Sequence, residues 1–531
     1  MGIDPGQERD PPASPTPLEF PQYVELNDRD VKSTTDFQAI YRNLLTLRKP
    51  QDITIDHIKA LNLKIETGVE GLQIISDESL QGLPTLVWDR MNDDDENPSE
   101  APKMGNGIPY PPFEKFEIVK KELLIDSDDA FREAARMPPK PGRDRVRLTQ
   151  TRKLWSGLER MAQYWDTSQD EYYERPAATS KTKENETVNN AQEQQPTADT
   201  GVSSPMDTGD SPTEEIKPYE RVYKGRRVGT GSEMPSDIRE DTMRGLVEMV
   251  AWPFQCQASV PSTPPRLNVQ GLLFPVRHTL ISGRVPQDRQ AARSGILEGP
   301  LLGVQCREET KFSAEEIGSW SKEYCDLFRE VGAMLLLAQE RAREGAVEIK
   351  PGEGKWWTSV PRFGGAEHEG VTGEAANSDN AKDKEEQKDD DNNQKVHKRS
   401  RYTNPLLSSR RAVRARRLTS SEKWKIIGPG MSLWDKRMKY MQIGKPNDSP
   451  YDDIYMLSSI NHHVSILHLR VHRRYIECLT TGISDFTDQG TPEQPWNILK
   501  LRRTKWYDLL DSEQRLEVFH SLWRLYHYIM R

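Results

Sequence analysis

Two histidines, His468 and His472, stand four residues apart in the last fifth of a 531-residue chain. On a helix that spacing puts both imidazoles on one face, as two ligands of one metal ion require. A third ligand could come from Asp452, Asp453 or His463. A zinc protease also needs Glu directly after the first histidine, and Leu469 occupies that place. Arg470, Arg473 and Arg474 crowd the same segment and oppose a cation. The preferred expectation is therefore that His468 and His472 flank an apolar stripe and hydrogen-bond to neighbouring helices. A metal or acid–base role is the alternative.

A second constellation lies on Leu301–Arg307, which reads as a strand preceded by Glu298 and ending Gln305-Cys306-Arg307, with a helix after it. It resembles the strand–helix segment of restriction-endonuclease-like nucleases. The resemblance implies Mg²⁺ held by a carboxylate and by an acidic residue or Gln, with a Lys on the same strand polarising water. Arg307 replaces that Lys, and a guanidinium does not readily give up its proton. Other motifs fail on spacing. Gly229 and Gly231 in RRVGTGSE match neither a P-loop nor GxGxxG, and no G-x-S-x-G occurs. The acidic run Asp93 to Glu96 lacks the ligand spacing of a calcium loop. Cys256, Cys306, Cys325 and Cys478 form no CxxC pair, which argues against a zinc ribbon and for a reducing compartment. No catalytic residue and no cofactor are predicted.

The most specific signal is basic. Lys398, Arg399 and Arg401, then Arg410, Arg411, Arg414, Arg416 and Arg417, match a bipartite nuclear-import pattern. Exposed cations of this kind lie in the acidic groove of an import carrier, against the protein's own acidic body, or on phosphate. A carrier and other protein partners are expected, and nucleic acid is the weakest of the three readings. A second basic run, RDRVRLTQTRKLW from Arg143, is read as a half-buried strand with a solvated outer face.

Composition bounds the rest. Hydrophobic residues make up 34% and charged residues 30%, with net charge −9, and mean hydropathy is −0.81. So polar a chain is expected to contain disordered stretches, and its overall charge excludes an electrostatic nucleic-acid binder. The polar, Pro-rich start is not read as a signal peptide, and no apolar run approaches a membrane span. Nucleus or cytoplasm, or both, and no membrane contact, are the expectations.

The histidines need a frame. Leu457, Ile460, Val464, Leu467, Val471, Tyr475 and Cys478 recur at intervals of three and four, which predicts one helix over 451–480. Asp36 and Asp511 are expected to cap helices, and Ser313 with Glu316 makes a capping box before a long one. Residues 114–137, Leu154–Trp165 and Trp496–Leu510 also read as helical, and strands are expected over Phe254–Val260, Leu267–Phe274, Arg277–Val285 and Leu301–Cys306. The divisions are a disordered tail at 1–30, a helical block at 31–165, a linker at 166–218, an α+β block at 219–363, an acidic-then-basic linker at 364–420 and a helical block at 421–531. The predicted class is α+β, predominantly helical, with a small mixed or antiparallel sheet packed by long helices and long disordered insertions.

The phrases GEGKWWTSVPRFGG, SLWDKRMKYMQIG and DDIYMLSSINHHVSILHLRVHRRYIECL resemble a family of large proteins of filamentous ascomycete fungi that has no assigned activity. The resemblance implies a fungal intracellular protein and carries no functional residue. The expected function is a non-enzymatic interaction or regulatory protein, partly nuclear. The alternative is a metal-dependent hydrolase or nuclease-like enzyme, using His468 and His472 or the Glu298–Arg307 strand.

Overall fold

The computed structural model describes residues 4, 6–23, 35–75, 102–176, 219–260, 265–293, 296–312, 322–342, 439–441, 443–445, 449–483 and 495–531. The import pattern at 398–417, the Ser313/Glu316 pair and the paired tryptophans 356–357 lie outside them.

In chain order, α1 (Phe37–Thr46), α2 (Ile55–Ala60) and β1 (Leu63–Val69) precede α3 (Phe113–Leu123), α4 (Ser127–Ala134) and α5 (Arg152–Trp165). A hairpin of β2 (Glu171–Pro176) and β3 (Tyr219–Lys224) comes next, then α6 (Ser236–Ala251) and β4 (Cys256–Ser259). A second hairpin joins β5 (Arg266–Val269) to β6 (Leu272–Pro275). β7 (Leu280–Arg284), α7 (Arg289–Arg293), β8 (Ile296–Arg307) and α8 (Lys322–Ala342) follow. The last elements are β9 (Lys439–Met441), β10 (Tyr451–Ile460), β11 (His463–His472), α9 (Arg473–Thr481), β12 (Leu499–Thr504), β13 (Tyr507–Asp508) and α10 (Ser512–Ile529).

A mixed nine-stranded sheet organises the molecule, in the order β1-β12-β11-β10-β8-β7-β4, with β13 on β11 and β9 on β8. This corrects the expectation of a predominantly helical protein with a small sheet. The unit α6–β4–β7–β8–α8–β10 carries the centre. β4, β7 and β8 are antiparallel neighbours, and β10 returns parallel to β8.

The predicted 451–480 helix is the main correction at element level. Nearly its first three-quarters are the β10–β11 hairpin, paired from Tyr451↔His472 to Ile460↔His463. Only Arg473–Thr481 is helical, and Gly482 ends it at φ 74. Residues between the 3–4-spaced apolar positions are apolar as well. Ile454 and Met456 pack into one core while Tyr455 and Leu457 pack into the other. A two-residue alternation into two cores is a central strand buried on both faces. The turn signal is Asn461, which adopts φ 53, a left-handed conformation that Asn tolerates. Trp496–Leu510 is likewise two strands rather than a helix, because Leu499, Leu501 and Arg503 alternate inward. Arg143 to Thr151 forms no strand.

Several local readings agree with the structure. Asp36 accepts the amide of Ala39 at 2.9 Å and Asp511 that of Gln514 at 2.8 Å. The 114–137 segment is helical but is split between α3 and α4. Residues 6–23, assigned to a tail, lie on the body: Arg9 bridges Tyr223, and Tyr23 is buried against Arg503. Helices cover both faces of the sheet. α3, α5, α6 and α10 share one core, and α1, α2, α8 and α9 the other. Among the described residues no helix is long and apolar enough to cross a membrane.

Candidate functional site

His468 and His472 do not form a metal pair. On a strand, four residues span about 13 Å, too far for one ion. His468 Nε2 hydrogen-bonds Asp453 Oδ1 at 2.8 Å, and its ring stacks on Tyr455 with centroids 4.9 Å apart. Tyr528 donates to the other Asp453 oxygen at 3.1 Å. Burial alone would raise the Asp453 carboxyl, but His468, Arg470 and Tyr528 outweigh it and hold it at about 2. His472 Nδ1 accepts the amide of Arg474 at 3.1 Å, capping α9.

Glu298 and Arg307 are also separated. Nine residues of strand place them about 30 Å apart, so they cannot serve one reaction centre. Glu298 is buried in an ion pair with Arg284. Arg307 lies in a second buried cluster. Its Nη1 donates to Asp326 at 2.6 Å and to Glu330 at 2.7 Å, and its Nη2 donates to Ser458. Arg503 joins the cluster through Glu330 and Tyr23, and Ser458 Oγ donates to Glu330 at 2.6 Å. Burial pushes the Glu330 carboxyl up, yet Arg503 and Arg307 reverse this and leave it below its ordinary value. Two guanidinium groups against two carboxylates make a balanced, fully buried cluster, as a structural ion group requires.

A cavity of about 260 Å³ opens beside the C-terminal end of β8. Leu44, Leu61, Phe274, Phe328 and Leu335 supply its apolar wall, from α1, the C-cap of α2, the β5–β6 hairpin and α8. Its polar end is formed by Arg239 and Glu240 of α6, Arg277, Gln305, and Glu309 beyond β8. Glu309 pairs with Arg329 at 3.2 Å, and Arg277 lies 3.7 Å from Glu240. Burial raises the Glu240 carboxyl against the pull of Arg277 and Arg239.

Arg239 is different. It is only 3% exposed, and its one hydrogen bond among the described residues runs from Nε to Asn461 Oδ1 at 3.3 Å. It forms no ion pair closer than 4 Å among them. Burial lowers its affinity for its proton, while Cys306 and Glu308 partly offset this. A nearly buried cation facing a cavity is a place for an anion.

The cavity's thiol is not activated. Burial pushes the Cys306 thiol up to about 12, so it stays protonated at neutral pH. His278 sits behind the wall, with Nε2 3.1 Å from the Ala333 carbonyl, and burial lowers it to about 4. Gly303 permits this packing: a Cβ there would lie 2.8 Å from the His278 ring and 2.9 Å from Leu337.

A third constellation appears at the β10–β11 turn, where His462, His463 and Asp508 converge. Sequence reasoning named His463 only as a possible third ligand to His468 and His472, and missed Arg239 and Asp508. Asn461 between two apolar runs was the available turn signal. Comparison with protein-family models, curated proteins and solved structures yields no match.

Proposed function

We propose that this protein is a non-enzymatic intracellular binding protein, and that its cavity receives an amphipathic anion. The apolar part of the ligand lies against Leu44, Phe274 and Phe328, and its carboxylate or phosphate meets Arg239 and Arg277. The observation that carries this reading is Arg239, nearly buried at the cavity and without an ion pair among the described residues. A desolvated guanidinium–anion contact contributes about 1.5–3 kcal/mol, or roughly 10–100-fold in affinity.

Calorimetric titration with octanoate and with octanol tests it. Octanoate should bind at least about 10-fold more tightly than octanol. Arg239→Met should remove that preference while melting at a temperature near that of the unaltered protein. Equal binding of acid and alcohol, or an unchanged Arg239→Met variant, would exclude the proposal.

A nuclease-like enzyme is the second reading. One observation favours it: the β8–α8 segment that resembles such nucleases sits in the central helix–three strands–helix–parallel strand unit, beside a cavity. The side chains oppose it. Glu298 and Arg307 are each spent in buried ion pairs, and no lysine lines the cavity among the described residues. The binding reading is therefore preferred.

A further inference from the structure

We propose that His462, His463 and Asp508 form a binding site for a first-row transition-metal dication, with Zn²⁺ as the fitting ion. The site is independent of the cavity and of its ligand.

Backbone geometry builds it. Successive side chains of a strand point to opposite faces, but His462 lies in the tight turn and His463 opens β11, so the two rings converge with centroids 4.2 Å apart. β13 pairs with β11 in the register His463↔Asp508, which sets the carboxylate beside the imidazoles. The Leu509 amide donates to the His462 carbonyl at 3.0 Å and locks the turn to that strand. Asn461 is fixed in turn: its amide donates to the Arg307 carbonyl at 3.1 Å and its side chain to the Glu309 carbonyl at 3.3 Å.

The ligand atoms face one another. His462 Nε2 is 3.9 Å from Asp508 Oδ1, and His463 Nε2 is 3.9 Å from Oδ2. All three groups offer donor atoms within 4.8 Å of one another. At 3.9 Å no hydrogen bond forms. Bonds of about 2.0–2.2 Å to one tetrahedral ion place ligand atoms about 3.4 Å apart. Small side-chain rotations close that difference.

The imidazoles also lack other occupations. His462 is 7% exposed, and the buried Nδ1 atoms of both histidines have no hydrogen-bond partner. Trp165 packs 4.8 Å from the His462 ring and Phe20 4.8 Å from the His463 ring, which fixes the ring planes. The nearby Arg515 cation is turned to the carbonyls of Leu509, Leu510 and Leu123 and does not occupy Asp508. Two neutral imidazoles and one carboxylate suit Zn²⁺ and leave a fourth position for water.

The full chain without an affinity tag, stripped with EDTA, is titrated with Zn²⁺ by calorimetry and with Co²⁺ by visible absorption. About one equivalent of Zn²⁺ should bind, Co²⁺ should give the intense visible bands of tetrahedral coordination, and Zn²⁺ should raise the melting temperature. His463→Gln and Asp508→Asn should each weaken Zn²⁺ at least tenfold and abolish the thermal shift, while His57→Gln should change neither. Should His463→Gln fail to fold, Asp508→Asn alone decides. Unchanged Zn²⁺ affinity in a folded variant, absence of the Co²⁺ bands in the unaltered protein, or equal displacement by Mg²⁺ would overturn the site.

Discussion

Asp453 links two layers of the molecule, because its carboxylate joins His468 of β11 to Tyr528 of α10. Its carboxyl sits at about 2 in the folded protein, against roughly 3.9 for a free Asp side chain. The lowered value means that the folded state favours the charged form. The contribution is complete above pH ~4 and is lost as pH falls through about 2. It amounts to about 2–3 kcal/mol. Asp453→Asn should therefore lower stability near pH 7 by about that much and flatten the loss between pH 4 and 2. Urea midpoints at pH 7, 4 and 2.5 check this, and an unchanged acid slope would refute it. The buried histidines act in the same sense, at higher pH. His278 and His463 are held near 4 and must be charged on unfolding, so they withdraw stability as pH drops from about 6.5 towards 4.

At the scale of elements, the packing of α5 against α6 rests on two glycines. A Cβ on Gly157 of α5 would lie 2.8 Å from Thr242 Cα of α6, and one on Gly245 of α6 would lie 2.8 Å from the Leu154 amide nitrogen of α5. Backbone, rather than a flexible side-chain tip, stands in the way at both positions, so the helices must move apart. Gly157→Ala and Gly245→Ala should each cost about 1–3 kcal/mol, where an open helix would gain about 1 kcal/mol from the same change. Chemical denaturation measures this, and a stabilised variant would show that the contact is loose. β10 is pinned from another direction. Arg341 of α8 grips Asp452 through two bonds, at 2.8 and 2.9 Å, and also donates to the Pro300 carbonyl at 2.9 Å.

For the whole molecule, strands from three distant stretches of chain complete one sheet, with cores on both faces. The basic segment 398–417 lies outside the described residues, and its chemistry supports a proposed role in nuclear import. A fluorescent fusion should leave the nucleus, in whole or in large part, when Arg410, Arg411, Arg414, Arg416 and Arg417 are changed to Ala. Unaltered distribution would sink that role. The cavity belongs to this scale as well, since α1, the C-cap of α2, α6, α8 and the β5–β6 hairpin each supply part of its wall.

Local chemistry could be read from the chain alone. Asp36 and Asp511 cap the helices predicted for them, and β7 and β8 fall where apolar runs lie between turn residues, because caps and turns are decided by neighbours within a few residues. Residues 451–480 were open to two readings. Apolar side chains at nearly every position satisfy a period of 3.6 and a period of 2 at once. Burial on both faces, between two cores built by distant helices, selects the strand hairpin. That selection also separates His468 from His472. It brings His462, His463 and Asp508 together at the turn, and turns Arg239 into the cavity. Sequence set the stock of charged and imidazole groups. Long-range strand pairing, which no local interaction encodes, decided which of them meet.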